Sequence, residues 1–281
     1  MSESVRCRFP ESPHRDDRPG IVRRNFSRAA TSYDAAAMIQ REIARELASR
    51  LELAAGGLLL DVGAGTGALL ADINRRWPQQ CPVALDVASG MIEQGRRDAR
   101  GLRWVQADAG ALPFRRNVFD AVVSASSYQW VEDLPAAFRS VRKVLKPGGV
   151  FQAAFFGHDT LREFFAALEF AALLGSRKDV FELGRLPTSG TVESALSQAR
   201  FDSWQTRAQQ RTVVFSDLRG ILRWLRSVGG NSLRSNFFLG PQLLRRAEMY
   251  YREKFPQRNG LVATFEIIWI TAQKATEEWD G

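Results

Sequence analysis

Cysteine and histidine are nearly missing from this chain, with two of each among 281 residues. Cys7 and Cys81 are too few for a disulfide framework or a thiolate metal site, so no metal is expected. A reducing cytoplasm fits that usage. Long apolar runs are also lacking: none approaches the ~18–20 residues that span a bilayer, and no membrane partner is expected. The opening, MSESVRCRFPESPHRDDRPG, carries charges throughout and no apolar h-region, so it does not read as a secretory signal. Acidic residues are in deficit, 31 against 39 Lys and Arg, a formal charge of +8. The arginine clusters RRNFSR, RRWP, RRDAR, FRR and LLRR are scattered, with no aromatic-interleaved stripe, finger spacing or RNA-recognition motif. Charge alone does not choose between an acidic protein and a nucleic acid, but the missing motifs argue against the nucleic acid.

The most informative segment that is present runs from Leu58 to Leu70, LLLDVGAGTGALL. Leu58, Leu59 and Leu60 read as a strand buried on both faces, ended by Asp61. Gly63, Gly65 and Gly67 then let the backbone turn tightly and pass close to a ligand. A helix resumes near Ala68 with its free amide groups pointing back at the turn. The G-x-G-x-G spacing differs from the dinucleotide fingerprint and from the phosphate loop, and no Lys-Ser or Lys-Thr pair follows. Further strands read from VALD ending at Asp86, LRWVQAD ending near Asp108, FDAVVSASSYQWVEDL and VRKVLKPGGVFQAAFF, where LKPGG is the turn into the fifth.

These elements, in this order, resemble the class I methyltransferases that use S-adenosylmethionine. The resemblance implies a Rossmann-like α/β sheet of seven strands, the last pair antiparallel, with a helical lid. It implies that Asp86 accepts hydrogen bonds from both ribose hydroxyls, that Asp108 and Ala109 meet the adenine edge, that Asp61 lies near the methionine ammonium, and that Met91 packs on the adenine face. Gly63, Gly65 and Gly67 complete the expected cofactor set. A structural reading, in which the three acids cap helices or close strands, stays open.

The expected organisation is a mobile lead-in over 1–20, cap helices over 21–51 with a break near Tyr33-Asp34, and a cofactor-binding core over 52–156. Lid helices and remaining sheet elements follow over 157–260, then a final strand and tail over 261–281. The helices within 216–255, inserted before the last strand, would join 157–185 in a lid over the strand ends.

An activated methyl needs a positioned acceptor and exclusion of water. An ionised carboxylate acceptor needs no general base, and bases are scarce: His14 lies in the lead-in, and His158 reads as a surface or lid residue. The D/N-P-P-Y motif of amino-group nucleic-acid methylases and the Pro-Cys nucleophile of cytosine-C5 enzymes are absent. The phrases RRNFSRAATSYDAAAMIQRE, VVSASSYQWVEDL and LRWLRSVGGNSLR resemble the malonyl-acyl-carrier-protein O-methyltransferases of biotin synthesis. That likeness implies methylation of the free carboxylate of malonyl-acyl carrier protein, or of malonyl-CoA, by a cytoplasmic monomer. Tyr33 and Asp34, with Gln40 in support, would sit beside cofactor and acceptor, and Tyr128, Gln129 and Trp130 would shape the transfer pocket. Asn231 and Arg234 are candidates to touch the substrate, and Arg23 and Arg24 to dock the carrier. The last strand, LVATFEIIWITAQK, also resembles methyltransferase-like assembly factors of respiratory complex I, linked to arginine hydroxylation. A methyltransferase for another small molecule is the further alternative.

Overall fold

The computed structural model describes residues 18–53, 56–98, 101–174, 186–230 and 240–276. Two helices, α1 (Arg18–Ala36) and α2 (Met38–Arg50), precede an alternating series: β1 (Leu58–Val62), α3 (Ala68–Arg76), β2 (Cys81–Asp86), α4 (Ser89–Asp98), β3 (Arg103–Gln106) and β4 (Phe119–Ala125). A 3-10 turn at Tyr128–Trp130 leads to α5 (Leu134–Val144) and β5 (Leu145–Phe156). Then come α6 (Arg162–Leu174), α7 (Ser189–Gln198), β6 (Ser203–Phe215), α8 (Leu218–Ser227), α9 (Pro241–Lys254) and β7 (Leu261–Gln273).

Among the described residues the strands form one sheet in the order β3-β2-β1-β4-β5-β7-β6. The first five are parallel; β7 runs antiparallel to both β5 and β6. The order reverses beside β1, so the loops after β1 and β4 diverge and leave a crevice at their carboxyl ends. Alternate residues of each strand face opposite layers. Leu59 joins a core built with α2, α3, α6, α8 and α9, while Leu60 and Val62 join a core built with α5 and α7. On α5, Leu134, Ala137, Phe138, Val141 and Val144 recur at helical spacing and are buried, and Asp133 caps the helix by accepting from the Ala136 N–H at 2.8 Å. β6 forms the sheet edge and exposes Gln205, Arg207, Gln210 and other polar side chains, which discourages further strand pairing.

Two details differ from the sequence reading. The break between the first helices falls at Ala37, not at Tyr33-Asp34, because the Tyr33 carbonyl still accepts the Ala37 N–H at 2.8 Å. LKPGG lies inside β5: its register against β4 shifts between Phe119 and Ala121, and Gly148 has φ +76°. The described parts of the expected lid, α6, α8 and α9, pack against a face of the sheet. Residues 1–17, 175–185 and 231–239, on which parts of the lead-in and lid expectations rest, lie outside the described residues.

Candidate functional site

The turn after β1 is shaped by its neighbours. Gly63 and Ala64 donate backbone N–H bonds to the Leu85 carbonyl at 2.8 and 2.9 Å, which pins the turn to the end of β2. Gly65, at φ +58°, faces open space: a Cβ built there meets no atom within 4 Å. Its N–H donates to Asp86 Oδ2 at 2.8 Å, and Asp86 Oδ1 accepts from the Ala88 N–H at 2.8 Å. Burial pushes the Asp86 carboxyl up, against these backbone donors, which pull it down. Each carboxylate oxygen retains further acceptor capacity.

A cleft of about 300 Å³ opens beside this turn. Asp86 and Met91 line one part, Ala107 to Gly110 after β3 another, and Ser126, Ser127 and Trp130 after β4 a third. Val22, Phe26 and Tyr33 of α1 complete the wall. Phe26 meets the edge of Trp130 at 5.7 Å between centroids and lies 6.3 Å from Tyr33. Behind α1, the Trp224 indole of α8 donates to the Ala36 carbonyl at 3.1 Å, and Gly229 passes against Phe26. Among the described residues the cover is therefore α1, braced by α8. Residues 157–174, 186–230 and 240–260 line no part of the cleft; the rest of the expected lid lies outside the described residues.

Beneath the cleft, a pocket of about 40 Å³ shares Tyr33, Gly63 and Gly65 with it and adds Asp34, Gln40, Arg41, Asp61 and Thr66. Thr66 Oγ1 donates to Asp34 Oδ1 at 2.9 Å, joining α1 to the glycine turn. Asp61 is 1% exposed, and neither of its oxygens has a hydrogen-bond partner among the described residues. Burial first, then the Asp86 charge, holds its carboxyl well above the ordinary value. Burial, Asp86 and Asp34 likewise push the Tyr33 phenol up, so it stays protonated as a donor. Gln40 Oε1, Ser126 Oγ, Gln129 Oε1 and Trp130 Nε1 are also buried without a partner among the described residues. Such atoms are uncommon in native interiors, and their gathering here marks a place that receives polar groups.

The structure thus brings together Tyr33, Gly63, Gly65, Asp86, Met91, Asp108, Ala109 and Trp130, with Asp61 directly below. It does not bring in Gly67, which lines neither cavity and packs against Leu102 and Trp104. Tyr128 lines neither cavity: its ring is fully buried among Phe138, Phe151 and Phe155, because the 3-10 turn directs it into the α5 layer, yet its hydroxyl has no partner among the described residues, and burial and then the Asp61 charge push its phenol up. Gln129 turns its Nε2 to the Ser126 carbonyl at 2.8 Å and bears on the cleft only through that turn. Arg23 and Arg24 are exposed on α1 outside the cleft lining, and His158 is exposed beyond β5. Asn231 and Arg234 lie outside the described residues.

Sequence reasoning missed Phe26, Arg41, Thr66 and Ser126. Thr66 sits within the glycine motif and Phe26 one helical step before Ala30, so both carried a local signal. Ser126 carried none: a non-glycine residue held at φ +56°, its N–H tied to the Ala154 carbonyl at 2.7 Å, is visible only in three dimensions.

A family model described as "Methyltransferase domain" matches residues 59–149. A malonyl-[acyl-carrier protein] O-methyltransferase of Geobacter sulfurreducens is 34% identical over 257 residues, covering 88% of this chain and 96% of that protein. One from Xylella fastidiosa is 31% identical, covering 92% of this chain and 88% of the relative. Among solved structures, the YcgJ protein of Bacillus subtilis superposes with a TM-score of 0.59 at 17% identity, covering 83% of this chain and 98% of that one. A putative methyltransferase from Bacillus halodurans gives the same score, covering 84% of this chain and 100% of its own; both show the fold alone.

Proposed function

We propose that this chain, which belongs to the malonyl-[acyl-carrier protein] O-methyltransferase family, transfers a methyl group from S-adenosylmethionine to the free carboxylate of a malonyl-acyl carrier protein. The observation that carries the cofactor half is Asp61, a buried carboxylate with no partner among the described residues, beside a turn whose Gly65 leaves space. An ammonium is the group such an acid lacks, since a buried carboxylate is stable only when paired or hydrogen-bonded. The remaining acceptor sites of Asp86 fit a pair of hydroxyls, and Met91 with Ala109 supplies an apolar slot for a flat ring.

When bound, S-adenosylmethionine supplies a methyl already activated by its sulfonium. The protein's part is to orient and to exclude water. Trp130 and Phe26 wall the cleft against solvent, and the protonated Tyr33 hydroxyl is available as a donor where cleft and lower pocket meet.

Among the described residues the lining offers no histidine or lysine as a general base, which suits an acceptor that arrives ionised; it contains no arginine either. Several of its acids already bind backbone: Asp86 as above, Asp108 through the Gly110 N–H at 2.7 Å, and Asp133 as the α5 cap. A carboxylate of ordinary pKa, about 4, is already deprotonated at neutral pH and needs no base. Incubation with labelled donor and malonyl-carrier protein should yield a methyl ester that alkali releases. Folded, cofactor-binding protein that leaves the carrier unlabelled would reject this acceptor.

A further inference from the structure

A second concavity runs down from the cleft on the α5 side of the molecule. Gly110 lines both, and Ala136, in the cleft wall, is one helical turn from Arg139 and Ser140, which line the groove. Around it stand Arg116, Arg139, Arg142, Lys143 and Arg200, and its lining contains no acidic side chain. Arg142 faces Asp202 at 3.4 Å. The other four are exposed and form no ion pair among the described residues.

Among the described residues those four charges are engaged in no ion pair of the fold. Arg139 and Lys143 are four residues apart on α5, a spacing at which like charges repel, and soluble surfaces ordinarily intersperse the two signs. Arg200 ends α7 at φ +59°, where glycine is the usual occupant, so an arginine is held there against backbone preference. The groove lining holds no aromatic side chain on which a base could stack.

We propose that this groove is the docking surface for the acidic carrier protein that bears the acceptor, presenting the tethered acyl group at the adjoining cleft. The assignment rests on the carrier-borne acceptor proposed above and places docking here, not at Arg23 and Arg24 on α1. A partner whose charge complements the groove is steered to it, and the contribution weakens as salt screens it.

The test compares steady-state methylation of malonyl-carrier protein with that of a small malonyl thioester lacking the carrier. The enzymes are the unaltered protein, an Arg139→Glu/Lys143→Glu pair and, for milder change, the Arg139→Gln/Lys143→Gln pair. Arg246→Glu/Lys254→Glu on α9 makes the same change of charge elsewhere. The groove variants should raise KM for the carrier at least tenfold for the Glu pair and about threefold for the Gln pair, scaling from salt-screened surface charges. Their kcat and the KM for the small thioester should hold, and the α9 pair should behave as the unaltered protein. Equal loss on both acceptors, an equal effect of the α9 pair, or an effect of Arg23→Glu/Arg24→Glu in place of the groove pair overturns the proposal. So does unchanged carrier KM together with loss of salt-sensitive RNA binding, which assigns the groove to nucleic acid. Unaltered enzyme that methylates the small thioester but never the carrier rejects the carrier reading itself.

Discussion

Asp61, 1% exposed at the end of β1, and Glu163, 4% exposed in the first turn of α6, are both carboxylates taken out of water. Glu163 accepts from the Thr264 N–H at 3.0 Å, from the Thr264 hydroxyl and from Arg162 Nε at 3.3 Å. Asp61 accepts from nothing among the described residues. Their neighbours differ as well, although Gln209 Oε1 on β6 and Trp269 Nε1 on β7 are also buried without a partner among the described residues. In the far half, the Tyr251 hydroxyl donates to the Val262 carbonyl at 2.6 Å, and Thr160 and Glu266 exchange bonds between the β5–α6 turn and β7. At the carboxyl ends of β1 and β4, buried oxygens and nitrogens of Gln40, Ser126, Gln129 and Trp130 stand without partners among the described residues. A satisfied buried acid ties an element down. An unsatisfied one leaves binding energy for a ligand, which is how a site trades stability for function.

The sharpest way to break this contrast is Glu163→Ala. It strands a buried N–H and a buried hydroxyl on Thr264, so denaturant unfolding should show a loss of about 3 kcal/mol. Affinity of the folded fraction for the demethylated cofactor should not change. A matching fall in affinity would show that Glu163 is part of the site after all.

Asp61→Asn should do the reverse. Calorimetric affinity for the same ligand should fall by about 2 kcal/mol, roughly 30-fold, while ligand-free stability rises by about 1 kcal/mol. The pH dependence follows from the raised Asp61 carboxyl. The folded protein without ligand holds that proton more tightly than the unfolded chain. This contribution to stability is full below pH ~4 and is lost as pH rises through the raised value. Affinity runs the other way, rising across the same window, because the ionised acid pairs with the ammonium. A flat affinity profile, unchanged by the substitution, would remove Asp61 from the site.

The smallest effect is expected at Gly65→Ala. The left-handed conformation should destabilise the fold by about 1 kcal/mol, and the new methyl points into open cleft, so affinity should drop further than stability. Comparing its thermal midpoint with its cofactor titration separates the two.

The acids at the strand ends could be read from the chain because a parallel sheet brings every β-to-α turn to one edge. Asp61, Asp86 and Asp108 gather at the same crevice although 47 positions separate the first from the last. Tyr128 and Trp130 were not separable in this way. Two residues apart in a 3-10 turn, they point to different surroundings, one into the α5 aromatic core and one into the cleft. The place of the described lid helices was hidden for a related reason. The amphipathic pattern of α8 shows that one face is buried, but not that it braces α1 through Trp224 and Gly229.

Local pattern was enough for what depends on neighbours along the chain: apolar runs that must be strands, glycines that must be a turn, helices with one buried stripe, and the family these compose. Only the folded chain decided which polar atoms remain without partners, which helix walls the cleft, and where unpaired arginines gather into a groove. Those properties come from residues remote in sequence meeting across the sheet, where burial removes the water that would otherwise satisfy them.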